Sequence, residues 1–279
     1  VLRDNSKSFE QGTHFREEHM TNFGDPRLDQ LMSTVRTAGD LLLSYWPGSS
    51  SRRLAAEIAE KSDGSLVSTA DMKSNELLSA DITKLFPDDL LFSEETAIDP
   101  QRVKQSKRTW IIDPLDGTAA FLAGRDDFAI LVGLCESYRP TVGMMYFPAR
   151  QEFVSAFEGR GATRNGIPLS VSVTPHCRAG AVYIRNFECT RPDIASPPMD
   201  SSLALLKVAC GELDAAVIRM TTHREWDIAA PIAVIREAGG VITDEMGTDI
   251  RCGMGDVSFR YFVASNGHVH HEILSLINR

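Results

Sequence analysis

The sequence is short of three things. Cysteine is scarce: Cys135, Cys177, Cys189, Cys210 and Cys252 are five scattered residues with no Cys-x-x-Cys pair. No disulfide framework is indicated, and the set reads as reduced thiols of a cytoplasmic protein. Positive charge is in deficit, with 29 Lys and Arg against 38 Asp and Glu and a net charge of −9. An acidic surface repels a polyanionic backbone, which disfavours nucleic acid as a partner. Long apolar runs are missing as well, none approaching the ~18–20 residues of a membrane span, so no membrane association is expected. The first 25 residues, with Arg3, Asp4, Lys7, Arg16, Glu17 and Glu18, hold no signal-peptide core. Segment 1–25 is expected to form a mobile N-terminal arm. There is no internal repeat, and the glycine-rich stretch Gly159–Gly166 lacks the following Lys-Ser/Thr of a nucleotide P-loop.

What is present is ordinary globular material: 279 residues, 43% hydrophobic and 24% charged, enough for one large domain or two intimately packed ones. Leu28, Leu31, Met32, Val35, Ala38 and Leu42 keep helical spacing between Pro26 and Trp46, and Pro47-Gly48 ends the run. A second helix is predicted over Asp71–Leu85. Short apolar runs at Leu90–Phe92 and Trp110–Ile112 break abruptly into acidic residues, as strands do whose carboxyl ends face a site. A meander follows, Phe128–Leu134, Thr141–Phe147 and Glu152–Phe157, cut by turn-prone Arg139-Pro140 and Pro148-Ala149. Beyond Pro168 the pattern alternates: helix at Ser201–Cys210, strand at Ala215–Ile218, helix at Asp227–Ala238, strands at Val241–Thr243 and Tyr261–Ala264, helix from about His268. The chain therefore reads as α/β, with an α+β half over 26–167, an α/β half over 168–279, and a packed interface whose cleft is the natural site.

The chemistry-bearing residues concentrate in Trp110-Ile111-Ile112-Asp113-Pro114-Leu115-Asp116-Gly117-Thr118. Two carboxylates three residues apart repel each other unless a cation lies between them. Magnesium, wanting near-octahedral oxygen at ~2.0–2.1 Å, suits Asp113, Asp116 and a turn carbonyl such as that of Leu115. Gly117 and Thr118 offer backbone N–H groups where a helix can begin, a cradle for phosphate. Ser93-Glu94-Glu95 places acid at another strand end, and Glu225-Trp226-Asp227 leads into Ile228-Ala229-Ala230, where Asp227 would also serve as a plain helix N-cap. An acidic chain binding a small phosphorylated metabolite would do so through such cations.

In this order and with these flanks, the segments resemble the inositol monophosphatase superfamily. Trp110–Thr118 is similar to its W-x-I-D-P-[IL]-D-G-T motif. Trp226-Asp227-Ile228-Ala229-Ala230 with Glu237-Ala238-Gly239-Gly240 is similar to its W-D-x-A-A and E-A-G-G elements. Phe86-Pro87-Asp88 with Glu94-Glu95, and Lys61 with Thr69-Ala70-Asp71, resemble its remaining elements. The resemblance implies a layered α/β/α/β/α sandwich, a homodimer, and two or three Mg2+ ions held by Glu94, Asp113, the Leu115 carbonyl, Asp116 and Asp227, with two sites about 3.5–4 Å apart. It further implies that Asp71, Thr118 and Glu94 activate the attacking water, and that Gly117, Thr118 and Asp116 hold the substrate. Lithium sensitivity is part of the same pattern.

The substrate is less sharply specified. Thr118-Ala119-Ala120-Phe121 matches neither the Thr-Asn-Phe of inositol phosphatases nor the Lys-Glu-Phe of bisphosphate nucleotidases. Ser201-Ser202-Leu203 is similar to the nucleotidase Ser-Ser-Leu-Lys, but Ala204 replaces the lysine. Arg219, His223 and Arg224 form a cationic segment where an inositol phosphatase carries acid, and Ser201 and Arg219 are candidate substrate contacts. With no complete nucleotidase motif, a monophosphate of inositol or a similar polyol stands ahead of 3′-phosphoadenosine 5′-phosphate. A non-catalytic regulatory protein would have lost a ligand or the water-activating pair, and every such position is filled. His268, His270 and His271 read as solvated surface beside a helix start.

Overall fold

The computed structural model describes residues 25–49, 58–60 and 66–277, apart from 188, 222 and 256–258. The expected arm, all but its last residue, and Lys61 lie outside them. α1 (Pro26–Tyr45) starts where Asp25 caps the Arg27 amide. After the short pair β1 (Ile58–Glu60) and β2 (Leu66–Ser68) comes α2 (Thr69–Leu85), opened by a capping box between Ser68 and Asp71. There follow β3 (Leu90–Ser93), α3 (Pro100–Gln105), β4 (Arg108–Asp116) and the one-turn α4 (Thr118–Leu122). The meander is β5 (Ala129–Glu136), β6 (Arg139–Phe147) and β7 (Glu152–Phe157), extended by β8 (Gly161–Arg164) and β9 (Ile167–Pro168). The remainder is β10 (Val182–Arg185), α5 (Ser201–Ala209), β11 (Ala215–Arg219), α6 (Glu225–Glu237), β12 (Val241–Thr243), β13 (Tyr261–Ser265) and α7 (His270–Ile277).

Strands β3 to β9 form one seven-stranded sheet in sequence order, and a four-stranded sheet runs β10-β11-β13-β12. Only β3 with β4 and β10 with β11 are parallel in them. Both sheets are buried on two faces, and the alternation along each strand sorts the layers. Trp110, Ile112, Ile130, Val132, Met144 and Tyr146 pack with α1 and α2, whereas Ile111, Leu131, Met145 and Phe147 turn the other way onto α5 and α6. In the small sheet Ala216, Ile218, Phe262 and Ala264 face that same inner core, while Val217 and Val263 meet Ile273 and Ile277 of α7. The order is α1/α2, large sheet, α5/α6, small sheet, α7: a layered α/β/α/β/α sandwich. α6 is apolar on all sides because it is the filling between two sheets.

The passage from large to small sheet falls between β9 and β10, and its connection is pinned by one buried carboxylate. Asp214, fully buried, accepts from Ser172 and Thr174 hydroxyls at 2.7 Å and from the Arg178 guanidinium at 2.8 Å. Burial opposes its ionisation, but those bonds outweigh it and pull the carboxyl down to about 2. The folded pKa lies below the unfolded one, so the stability it contributes is complete above about pH 4 and is lost as pH falls through about 2. Asp214→Asn is expected to lower stability at neutral pH by roughly 2 kcal/mol and to flatten the acid limb of the stability curve. Denaturant titrations at several pH values check this; unchanged curves would refute it.

Candidate active site

Three elements deliver carboxylates to one spot. β3 and β4 run parallel with Ser93 opposite Ile112, and the Glu94 amide donates to the Ile112 carbonyl at 3.1 Å, so Glu94 emerges beside Asp113. In a regular strand Asp113 and Asp116, three apart, would point to opposite faces. Here Asp113 pairs with Leu131 and Asp116 with Ala129, three steps on β4 against two on β5. That one-residue bulge turns both carboxylates to the face on which α6 lies. Leu115 N–H donates to Asp113 Oδ1 at 3.0 Å, fixing the turn. Gly117 follows at φ 81°, left-handed backbone that favours glycine, and starts α4.

Asp227 arrives from α6. It is the third residue of the helix and not its N-cap: Arg224 holds that position, and its amide donates to Asp227 Oδ2. One oxygen from each of Asp113, Asp116 and Asp227 lies within 4.8 Å of the others. Burial, then the neighbouring Glu94, Asp116 and Asp227, push the Asp113 carboxyl well up. Burial, then Asp200 and Asp227, do the same to Asp116, and burial drives Asp227 up to about 7. Asp116 Oδ2 is buried with no hydrogen-bond partner among the described residues. An orphaned carboxylate oxygen inside a repelling trio is costly unless a cation compensates it. The all-oxygen donor set fits a hard divalent metal.

Beside the trio, Thr118 Oγ1 donates to Asp71 Oδ1 at 3.2 Å and approaches the Leu115 carbonyl at the same distance. Asp71 is buried, which raises its carboxyl, and it also accepts from the Ser68 amide and hydroxyl. Glu225, adjacent in sequence to the trio's third member, is engaged elsewhere: it accepts from the Met254 and Gly255 amides at 2.9 and 3.0 Å. A cleft of about 270 Å³ opens past Glu94, walled by Phe92, Ile98, Arg224 and Trp226.

Comparison with known proteins bears on this geometry. The family model described as "Inositol monophosphatase family" matches residues 25–279. A histidinol-phosphatase of Chlorobaculum parvum is 31% identical over 235 residues, covering 80% of this chain and 87% of the relative. A fructose-1,6-bisphosphatase/inositol-1-monophosphatase of Thermotoga maritima is 28% identical, covering 90% and 96%. The solved structure of a Thermotoga maritima IMPase superposes with a TM-score of 0.78 at 27% identity, covering 91% of this chain and 97% of that one. The chain belongs to the inositol monophosphatase family.

Within this family member the cationic segment is not arranged as its sequence suggests. His223 is buried, and burial, then Arg185 and Arg224, hold its imidazole down to about 4, so it is neutral near pH 7. Arg219, the last residue of β11, is exposed, and no contact found among the described residues joins its side chain to the carboxylates. Arg224 is exposed too and donates to the His223 carbonyl at 3.0 Å. Ser201 is buried at the start of α5, where its hydroxyl meets His223 Nε2 at 3.3 Å and accepts from Arg185 at 2.9 Å.

Two residues that sequence reasoning passed over complete this corner. Asp200 caps α5, taking the Ser202 amide and hydroxyl on Oδ1, while its own amide donates to Asp127 at 2.8 Å. An Asp-Ser-Ser preceding an apolar run is a legible cap, so this one was findable. Arg185 ends β10, a four-residue strand without a clear pattern, and carried no signal. His270 is a satisfied core residue, not surface: it bonds Thr243 and Ser265 hydroxyls at 2.8 Å.

Proposed function

We propose that this chain is a magnesium-dependent phosphomonoesterase acting on a small phosphorylated alcohol of the inositol or polyol class. The phosphatase assignment follows from family membership. The observation that carries the metal is the trio of carboxylates within 4.8 Å, one oxygen of which has no hydrogen-bond partner among the described residues. Asp113, Asp116 and Asp227, with Glu94 and the Leu115 carbonyl, would hold two or three Mg2+ ions. Bound there, the cations would supply Lewis-acid polarisation of the phosphoryl oxygens and acidify the attacking water.

The chain's own groups do the rest. The Gly117 and Thr118 amides, at the N-cap and first position of α4, would donate hydrogen bonds to the phosphoryl oxygens. Thr118, its proton committed towards Asp71, would present an oxygen lone pair that orients the water, and Glu94 would accept the proton the water loses as it attacks. Alignment of water, phosphorus and leaving oxygen is the main contribution such a site makes. A homodimer and a cytoplasmic location belong to the same reading, and light scattering tests the first.

The decisive test is phosphate release from a panel of inositol 1-phosphate, glycerol 2-phosphate, histidinol phosphate, fructose 1,6-bisphosphate and 3′-phosphoadenosine 5′-phosphate, with Mg2+ and with chelator. Turnover that requires Mg2+ is expected for at least one; none for any would overturn the reading. Millimolar lithium is expected to slow that turnover by competing for one cation position. An unchanged rate would remove lithium sensitivity while leaving the phosphatase assignment.

A further inference from the structure

The carboxylate-rich corner contains one partly buried cation that no described role uses. Arg185 sits at the carboxyl end of β10, its side chain 36% exposed. Its Nη1 donates to Ser201 Oγ at 2.9 Å and lies 3.7 Å from Asp200 Oδ2. Asp200 Oδ2 in turn stands 3.4 Å from where a Cβ on Gly117 would be, at the mouth of the phosphate cradle. Arg185 feels the charge of Asp200 and Asp116, and its own charge reaches Asp227. The guanidinium therefore stands on the rim of the site, one side chain away from where the scissile phosphate would rest.

The guanidinium is also held in place. Ser201 Oγ, which accepts from Arg185, also contacts the buried His223 Nε2, and His223 Nδ1 is buried with no partner among the described residues. Retaining a buried, half-satisfied imidazole has a cost; here it backs the serine that backs the arginine. An arginine has five donors in a rigid fork. Ser201 and the Tyr183 hydroxyl engage part of the fork, and the Asp200 contact is too long for a hydrogen bond. Donors on the exposed side of the fork remain for a ligand.

Resting on the phosphomonoesterase reading, we infer that Arg185 is this enzyme's specificity-determining residue, selecting phosphomonoesters whose alcohol carries a second anionic group, a phosphate or a carboxylate. The role sequence reasoning gave to Arg219 passes to Arg185. Ser201 is the positioning residue, acting through Arg185. A contact to a group that does not react strengthens ground state and transition state alike, so its loss falls on KM and not on kcat.

The test compares kcat/KM for fructose 1,6-bisphosphate and 3-phosphoglycerate, each divided by that for inositol 1-phosphate, with Mg2+ saturating. Arg185→Ala is expected to lower the ratio roughly tenfold or more through KM, as charge-assisted contacts to anions do. If only the bisphosphate ratio falls, the second group is phosphate; if both fall, carboxylates are read too. Arg185→Gln keeps a donor for Ser201 and guards against loss of fold, and it should lower the ratio alike. Ser201→Ala should lower it less, again in KM. Ratios unchanged in both Arg185 variants would overturn the inference while leaving phosphatase activity standing. A wild-type protein inert on every substrate would overturn the phosphatase reading and this inference with it.

Discussion

Asp113→Asn and Asp227→Asn are each expected to reduce turnover by at least about a thousandfold, the scale of losing several kcal/mol of charge stabilisation at the reacting phosphoryl group. Stability should move the other way. In chelator the trio is one buried and two half-buried carboxyls, whose ionisation desolvation and mutual repulsion both oppose. Replacing one with a neutral isostere removes a repelling partner, so the thermal midpoint without metal should stay the same or rise. Mg2+ should then raise the midpoint of the wild type more than that of either variant, because a ligand stabilises only the state that binds it. Kinetics and thermal melts on one set of samples read both effects. Near-wild-type turnover would sink the assigned site. A lower midpoint in chelator would mean that the carboxylates support the fold instead of straining it.

What the sequence made legible and what it hid follow from the range of the interactions. α1 was readable because its apolar residues obey one period and Pro47-Gly48 stops it. β5 to β7 were readable because turn residues separate long apolar runs. The acidic cluster was readable because Asp113 ends an apolar run with Asp116 three residues on, and Asp227 opens another apolar run. β10 was hidden: it is four residues long, and parallel pairing with β11 sustains it, a partner thirty-odd residues away. The true start of α6 was hidden by Asp227, a good N-cap by type, because its carboxyl caps from the third position back to Arg224. His223 looked cationic in the company of Arg219 and Arg224. Only the packing of Ser201 and α5 around it shows a buried, neutral ring. Charge read from sequence assumes solvent, and desolvation reversed that reading.

Gly143→Ala tests how the fold sets the site's geometry. Gly133 and Gly143 are paired across β5 and β6, and together they make a flat seat on the large sheet. α6 lies on that seat. A Cβ at Gly143 would stand 2.4 Å from the Ala230 carbonyl oxygen and 3.0 Å from the Ala233 Cβ; one at Gly133 would stand 2.9 Å from the Ala229 Cβ. The obstruction at Gly143 is helix backbone, so no rotamer relieves it and the helix itself must lift. Asp227 is only three residues before Ala230, so the same displacement carries it away from Asp113 and Asp116. Overpacking of this kind costs about 1–3 kcal/mol, and a misplacement on the order of 1 Å at a reacting centre costs about a hundredfold in rate. Gly143→Ala is therefore expected to lose both stability and turnover, with the rate still depressed at saturating Mg2+ and at temperatures where the variant is fully folded. Gly159→Ala is the control: its φ of +73° strains any side chain, yet nothing lies within 4 Å of the new Cβ, so stability alone should fall. If Gly143→Ala proved as stable and active as the parent, α6 would not rest on the sheet at this height, and the convergence of Asp227 with the β4 carboxylates would need another cause.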